Sequence, residues 1–95
     1  MPAYVIVDIE ITDAVRYRQY VDAVPATISA HGGKYLARGG RTVTLEGGWR
    51  PPRCVVLEFE SLERVKEWWD SKEYIAARLL RQGAAVARIV AVEGI

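Results

Sequence analysis

The chain has one cysteine, one histidine, one methionine and one phenylalanine among its 95 residues. Each scarcity removes a class of chemistry. A lone Cys54 cannot close an intrachain disulfide, so an oxidising compartment gains no support. It lies within "RCVVLEF", which reads as a strand, so a buried inert thiol is expected. His31 and Cys54 fall on different segments, which leaves the usual nitrogen and sulfur ligand set incomplete. No metal and no cofactor are expected. An excess of one charge is lacking as well, since 13 Lys and Arg face 12 Asp and Glu. The bases are scattered, without the footprint of a nucleic-acid binder. No apolar run approaches membrane-spanning length. The opening "MPAYVIVDIE" has no basic start and turns acidic before an apolar core is complete, unlike a signal peptide. A cytoplasmic protein is therefore expected. Linkers, low-complexity segments and tandem repeats are also missing, so residues 1–95 read as a single domain.

What is present alternates regularly. "AYVIVDIEI" is short and β-branched and reads as a buried strand. Thr12 and Asp13 can cap a helix whose apolar stripe is Tyr17, Val21, Val24 and Ile28. Pro25 lies inside that stripe and predicts a kink or broken turn. His31 ends the stripe, and Gly32 and Gly33 can supply the left-handed residue that stops a helix. "KYLARG" follows as a strand, with Gly39 and Gly40 predicting a bulge or bend and "RTVTLE" an extension or short partner. "GGWRPPR" reads as a turn and "CVVLEFE" as a further buried strand. Ser61 caps a second helix bearing Val65, Trp68 and Trp69. "DSKEY" interrupts it, Ser71 can cap a further helical segment, and "ARIVAVEGI" closes the chain as a strand.

The order βαββαβ predicts a ferredoxin-like α+β fold, an antiparallel sheet with two helices on one face. Period-two alternation splits the strand residues into two faces. One, with Val5, Val7, Ile9, Tyr35, Ala37, Val55, Leu57, Phe59, Ile89 and Ala91, is apolar and belongs under the helices. The other mixes Ile6, Leu36, Val56, Val90 and Val92 with Asp8, Glu10, Lys34, Arg38, Glu58 and Arg88. If the first strand lies between the third and fourth, Asp8, Glu10, Glu58, Arg88 and Lys34 fall near one end of the sheet, where opposite signs can pair. A water-facing surface would not select so many apolar residues, and such patches mark interfaces. A homodimer joined through its sheets is expected.

"AYVIVDIEITD", "YVDAVPATISAHGGKYLARGG", "LEGGWRPPRCVVLEFES" and "WWDSKEYIAARLLRQGAA" together resemble, over nearly the whole chain, the bacterial domain-of-unknown-function family 1330. The resemblance implies a dimeric α/β barrel, a ferredoxin-like monomer paired through its sheet. It places the chain near cofactor-free monooxygenases, lactone isomerases, haem-degrading enzymes and stress-responsive barrels. It names a scaffold and no reaction.

The candidate site residues each carry two readings. Histidine is the side chain type suited to proton transfer near neutral pH, so His31 can serve as a general base or haem ligand, or simply end its helix. Arg38, placed on the mixed face, can clamp a carboxylate or enolate, or form an ion pair across the dimer. Glu58 can be a buried acid or base, or pair with Lys34 or Arg88. Trp49 can form a lid or pack the dimer. Trp69 and Tyr74 can wall a cavity between helices and sheet, and Ser71 can present backbone N–H groups to an anion, or all three can serve core and cap. The leading expectation is a homodimer that binds a small, mostly apolar or aromatic acid. His31, Arg38 and Glu58 would carry a cofactor-free proton transfer, isomerisation or oxygenation. A non-catalytic binding or stress-related dimer is the alternative, and a haem-handling protein the third.

Overall fold

The computed structural model describes all 95 residues, Met1 to Ile95. Its elements are β1 (Ala3–Ile11), α1 (Ala14–Ala30), β2 (Lys34–Arg38), β3 (Cys54–Phe59), α2 (Leu62–Trp69), α3 (Lys72–Arg81) and β4 (Ala85–Glu93). The strands form one sheet in the order β2-β3-β1-β4, antiparallel throughout. This is the ferredoxin-like arrangement, with the second helical connection in two pieces.

Short polar side chains start all three helices. Asp13 accepts from the N–H of Arg16 at 3.1 Å, Ser61 from Arg64 at 3.2 Å, and Ser71 from Tyr74 at 3.1 Å. The Ser71 hydroxyl also donates to the Trp68 carbonyl at 2.8 Å, which joins the end of α2 to the start of α3. Glycine ends α1. Gly33 N–H reaches the Ile28 carbonyl and Gly32 N–H reaches that of Ser29, the paired bonds of a Schellman motif, with Gly32 at φ +74°. Gly33 answers a second need. A Cβ there would stand 2.5 Å from the Phe59 ring and 2.9 Å from Ile28.

The helix-facing side of the sheet carries the core. Val5, Leu57 and Phe59 pack with Val24, Ile28, Val65, Trp68, Tyr74 and Ala77. Trp68 is central to it. Its ring lies 4.2 Å from that of Tyr74 and 5.2 Å from that of Phe59. Its indole N–H donates to the buried Thr27 hydroxyl at 3.1 Å, and that hydroxyl donates to the Val24 carbonyl at 2.7 Å. The polar edge of the indole is thus paired where water cannot reach it.

Four expectations need correction. α1 runs through Pro25 without interruption. "RTVTLE" is not a strand; the whole stretch between Gly39 and Arg53 is irregular, with a turn at Gly47 and Gly48. The face charges form two separate pairs, Lys34 with Glu58 at 3.7 Å and Arg88 with Asp8 at 2.7 Å. The register explains the separation, since Glu58 lies opposite Tyr4 while Asp8 lies opposite Cys54. The fourth correction concerns β2. Tyr35 opposes Leu57, Ala37 opposes Val56, and Arg38 opposes Val55. Two residues, Leu36 and Ala37, therefore span one position of β3. This β-bulge reverses the alternation beyond it. Arg38 moves from the mixed face to the helix-facing side, and Ala37 leaves it.

Two substitutions test the core. Gly33→Ala forces a methyl against Phe59 and is expected to cost about 1–3 kcal/mol; Gly40→Ala, with nothing within 4 Å of the added atom, serves as the silent control in thermal unfolding. Thr27→Val keeps the shape but strands the indole N–H of Trp68, at a cost of about 1–3 kcal/mol, read as a lower urea midpoint at unchanged slope.

Candidate functional site

Between the helices and the sheet lies a cleft whose walls are mostly apolar. Val7, Ile9, Val55, Leu57 and Ile89 form its floor, and Val21, Val24 and Ile28 of α1 its roof. Trp68 closes one side. The space a water centre can occupy is about 40 Å³, and the empty volume with the mouth included is about 550 Å³. Seven polar side chains also reach it: Tyr17, Tyr20, Tyr35 and Tyr74, and Arg38, Arg53 and Arg81.

Each arginine arrives from a different element. Arg38 is turned inward by the bulge, and its guanidinium lies over the Tyr35 ring at 4.7 Å. Arg53 precedes β3, where its carbonyl accepts from Ile9 N–H at 3.0 Å. It sits two residues before inward-facing Val55 and so shares that face. Arg81 ends α3, with its guanidinium 5.4 Å from the Tyr20 ring centroid. None of the chain's four ion pairs includes any of the three. The Nε atoms of Arg53 and Arg81 are buried without a hydrogen-bond partner. Leaving a cation's N–H groups buried and unpaired is costly.

The phenols do not neutralise these charges. Burial pushes the Tyr17 and Tyr35 hydroxyls up, against the opposing pull of the nearby arginines. Burial does the same to Tyr20, and the Tyr74 hydroxyl 3.0 Å away adds to the rise. For Arg81, burial pulls the guanidinium down, but the Tyr74 and Tyr20 hydroxyls push it up by more, and the net direction is up. At neutral pH the Tyr17, Tyr20 and Tyr35 hydroxyls are therefore uncharged and Arg81 keeps its charge. The cleft contains no His, Lys, Asp or Glu.

The residues expected to act together are dispersed. His31 caps the C-terminus of α1, where its Nδ1 lies 2.9 Å from the Thr27 carbonyl, and it does not line the cleft. Glu58 lies on the opposite sheet face, beside Lys34. Arg38 and Tyr74 do line the cleft. Trp69 borders a separate hollow of about 190 Å³ between α2 and the sheet, with the Arg78 guanidinium over its ring at 4.0 Å. The Ser71 hydroxyl is engaged in the α2–α3 joint. Trp49 lies over the uncovered sheet face, donating to Asp8 Oδ2 at 2.8 Å. That indole N–H, and then the Arg88 guanidinium, hold the Asp8 carboxyl below the usual carboxylate range. A solvent-open hollow of about 520 Å³ lies beneath Trp49. It is wider than the cleft, but both of its charges, Asp8 and Arg88, are already paired.

Sequence reasoning missed Arg53, Arg81, Tyr17, Tyr20 and Tyr35 as site residues. A signal existed for two of them. Arg53 continues the Val55, Leu57, Phe59 alternation, and Arg81 continues the helical spacing of Tyr74 and Ala77. No group of three His, Cys, Asp or Glu side chains gathers anywhere in the chain. No helix is long and apolar enough to cross a membrane.

The fold is shared with solved structures of low sequence identity. A protein of unknown function from Rhodopseudomonas palustris superposes with a TM-score of 0.79 at 19% identity, covering 99% of this chain and 82% of its own. A dimeric ferredoxin-like protein of unknown function from Bacteroides fragilis gives 0.62 at 19% identity, covering 98% and 96%. A cofactor-independent oxygenase from Streptomyces nogalater gives 0.66 at 4% identity, covering 99% and 93%. Among curated proteins, none matches the chain. The family comparison is decisive: the model of the domain of unknown function DUF1330 matches residues 2–95, and the chain belongs to that family.

Proposed function

We propose that this protein is a homodimer that binds a small, largely apolar or aromatic acid in the cleft between its helices and sheet. The observation that carries the proposal is the set of three guanidinium groups, Arg38, Arg53 and Arg81, around apolar walls with no carboxylate among them. An anion satisfies the unpaired N–H groups, and its apolar body fills the remaining space. Tyr74 and Tyr20 offer hydroxyls beside the anion. Recognition of an acid, rather than proton abstraction, suits a cleft without a group that titrates near neutrality. His31 and Glu58 have structural partners outside it.

Dimerisation through the uncovered sheet face has separate support. Leu36, Val86, Val90 and Val92 are all about half exposed or more on that side. The chain is a slab of 33 × 31 × 16 Å. Its broad face is ample for the ~800 Å² per partner of a standard interface. The Bacteroides fragilis relative in fold is described as dimeric.

Thermal shift tests the ligand. Benzoate at a hundred times its dissociation constant is expected to stabilise the fold by about 2.7 kcal/mol, while benzamide of the same shape leaves it unchanged. Arg38→Gln and Arg81→Gln should each reduce the benzoate shift. Equal shifts for acid and amide would reject the anion site. Light scattering at micromolar concentration tests assembly: the wild type should give twice the chain mass of 10.6 kDa, and Val90→Lys should give the single mass. A monomeric wild type would remove the dimer.

A further inference from the structure

We infer that the acidic group this cleft selects is a phosphate monoester, and that Gly39 is the residue that positions Arg53 to receive it. The inference rests on the small-acid reading above and narrows it.

A monocarboxylate brings one charge and two oxygens to three guanidinium groups. It leaves at least one fork without an oxygen of its own. A phosphate monoester carries nearly two negative charges at neutral pH and has three terminal oxygens. Each guanidinium can then take one oxygen, and the buried Nε atoms of Arg53 and Arg81 gain an acceptor. Two of the forks are preset. Arg38 is stacked on Tyr35 and Arg81 rests near Tyr20, so little side-chain freedom remains to be lost on binding.

Arg53 is held differently. Its guanidinium lies directly on the backbone at Gly39. A Cβ at position 39 would collide with one terminal nitrogen of Arg53 and stand 2.8 Å from its Cζ. Gly39 also has φ +71°, and its N–H donates to the Cys54 carbonyl at 2.8 Å, which fixes the chain where β2 leaves the sheet. The absence of a side chain at position 39 lets Arg53 reach the cleft that Arg38 also lines. The adjacent Gly40 has nothing within 4 Å of an added Cβ and no such role.

The test is titration calorimetry on the full chain with phenyl phosphate, benzoate and inorganic phosphate. Phenyl phosphate is expected to bind about tenfold or more tighter than benzoate, and tighter than inorganic phosphate. Gly39→Ala should weaken phenyl phosphate by about tenfold, and Gly40→Ala should leave it unchanged. Arg53→Lys keeps the charge but loses the fork; it should weaken binding as Gly39→Ala does, and it stands in if the left-handed alanine unfolds the chain. Benzoate binding as tightly as phenyl phosphate would overturn the phosphate inference and leave the small-acid reading intact. No binding by either aromatic acid would overturn both. Unchanged phenyl phosphate affinity in both Gly39→Ala and Arg53→Lys would overturn the role of Gly39.

Discussion

The structure depends on how one buried indole is satisfied. Trp68 fills the centre of the helix–sheet layer, and its single polar atom reaches the hydroxyl of Thr27 on α1. That bond joins two elements far apart in sequence. Phe59 of β3 and Tyr74 of α3 pack on the same ring system. All three helices and the sheet thus meet at one residue. The ring is also a wall of the cleft. The cavity persists because its side is a rigid, fully paired aromatic rather than a side chain free to collapse inward.

On that frame, strand register decides the chemistry. A single extra residue in β2 turns Arg38 toward the cleft, at its exposed edge, instead of onto the mixed face. Arg53 and Arg81 come from the start of a strand and the end of a helix that the fold brings to the same end of the molecule. Three cations then line one apolar cleft beside four phenols. The buried, unpaired Nε atoms of Arg53 and Arg81 are costly and favour an anionic occupant. The irregular segment between β2 and β3 does different work on the other side of the sheet, where Trp49 and Arg88 converge on Asp8. The two faces are therefore chemically distinct. One holds unpaired cations and the other holds internally paired charges among exposed apolar side chains.

The architecture was legible because local signals agreed. Strand alternation, Asp13, Ser61 and Ser71 as caps, and Gly32 and Gly33 as a stop all pointed the same way, and the structure follows them. The break between α2 and α3 was readable from "DSKEY" for the same reason. The continuity of α1 through Pro25 was not, because packing of Val24, Thr27 and Ile28 on the core outweighs the one backbone bond that proline removes. The bulge was also hidden. No glycine marks it, and Leu36 and Ala37 give no local reason to be doubled opposite Val56.

The amino-acid sequence by itself determined the element order, the helix ends, the apolar face and the family, since these follow from propensities and periods that act within a few residues. Tertiary structure alone decided which charges share a space. The separation of His31 from Glu58, the inward turn of Arg38, and the gathering of Arg38, Arg53 and Arg81 depend on pairings between segments distant in the chain. A one-residue shift in such a pairing carries a side chain to the opposite face, and nothing local to Arg38 records which face it takes.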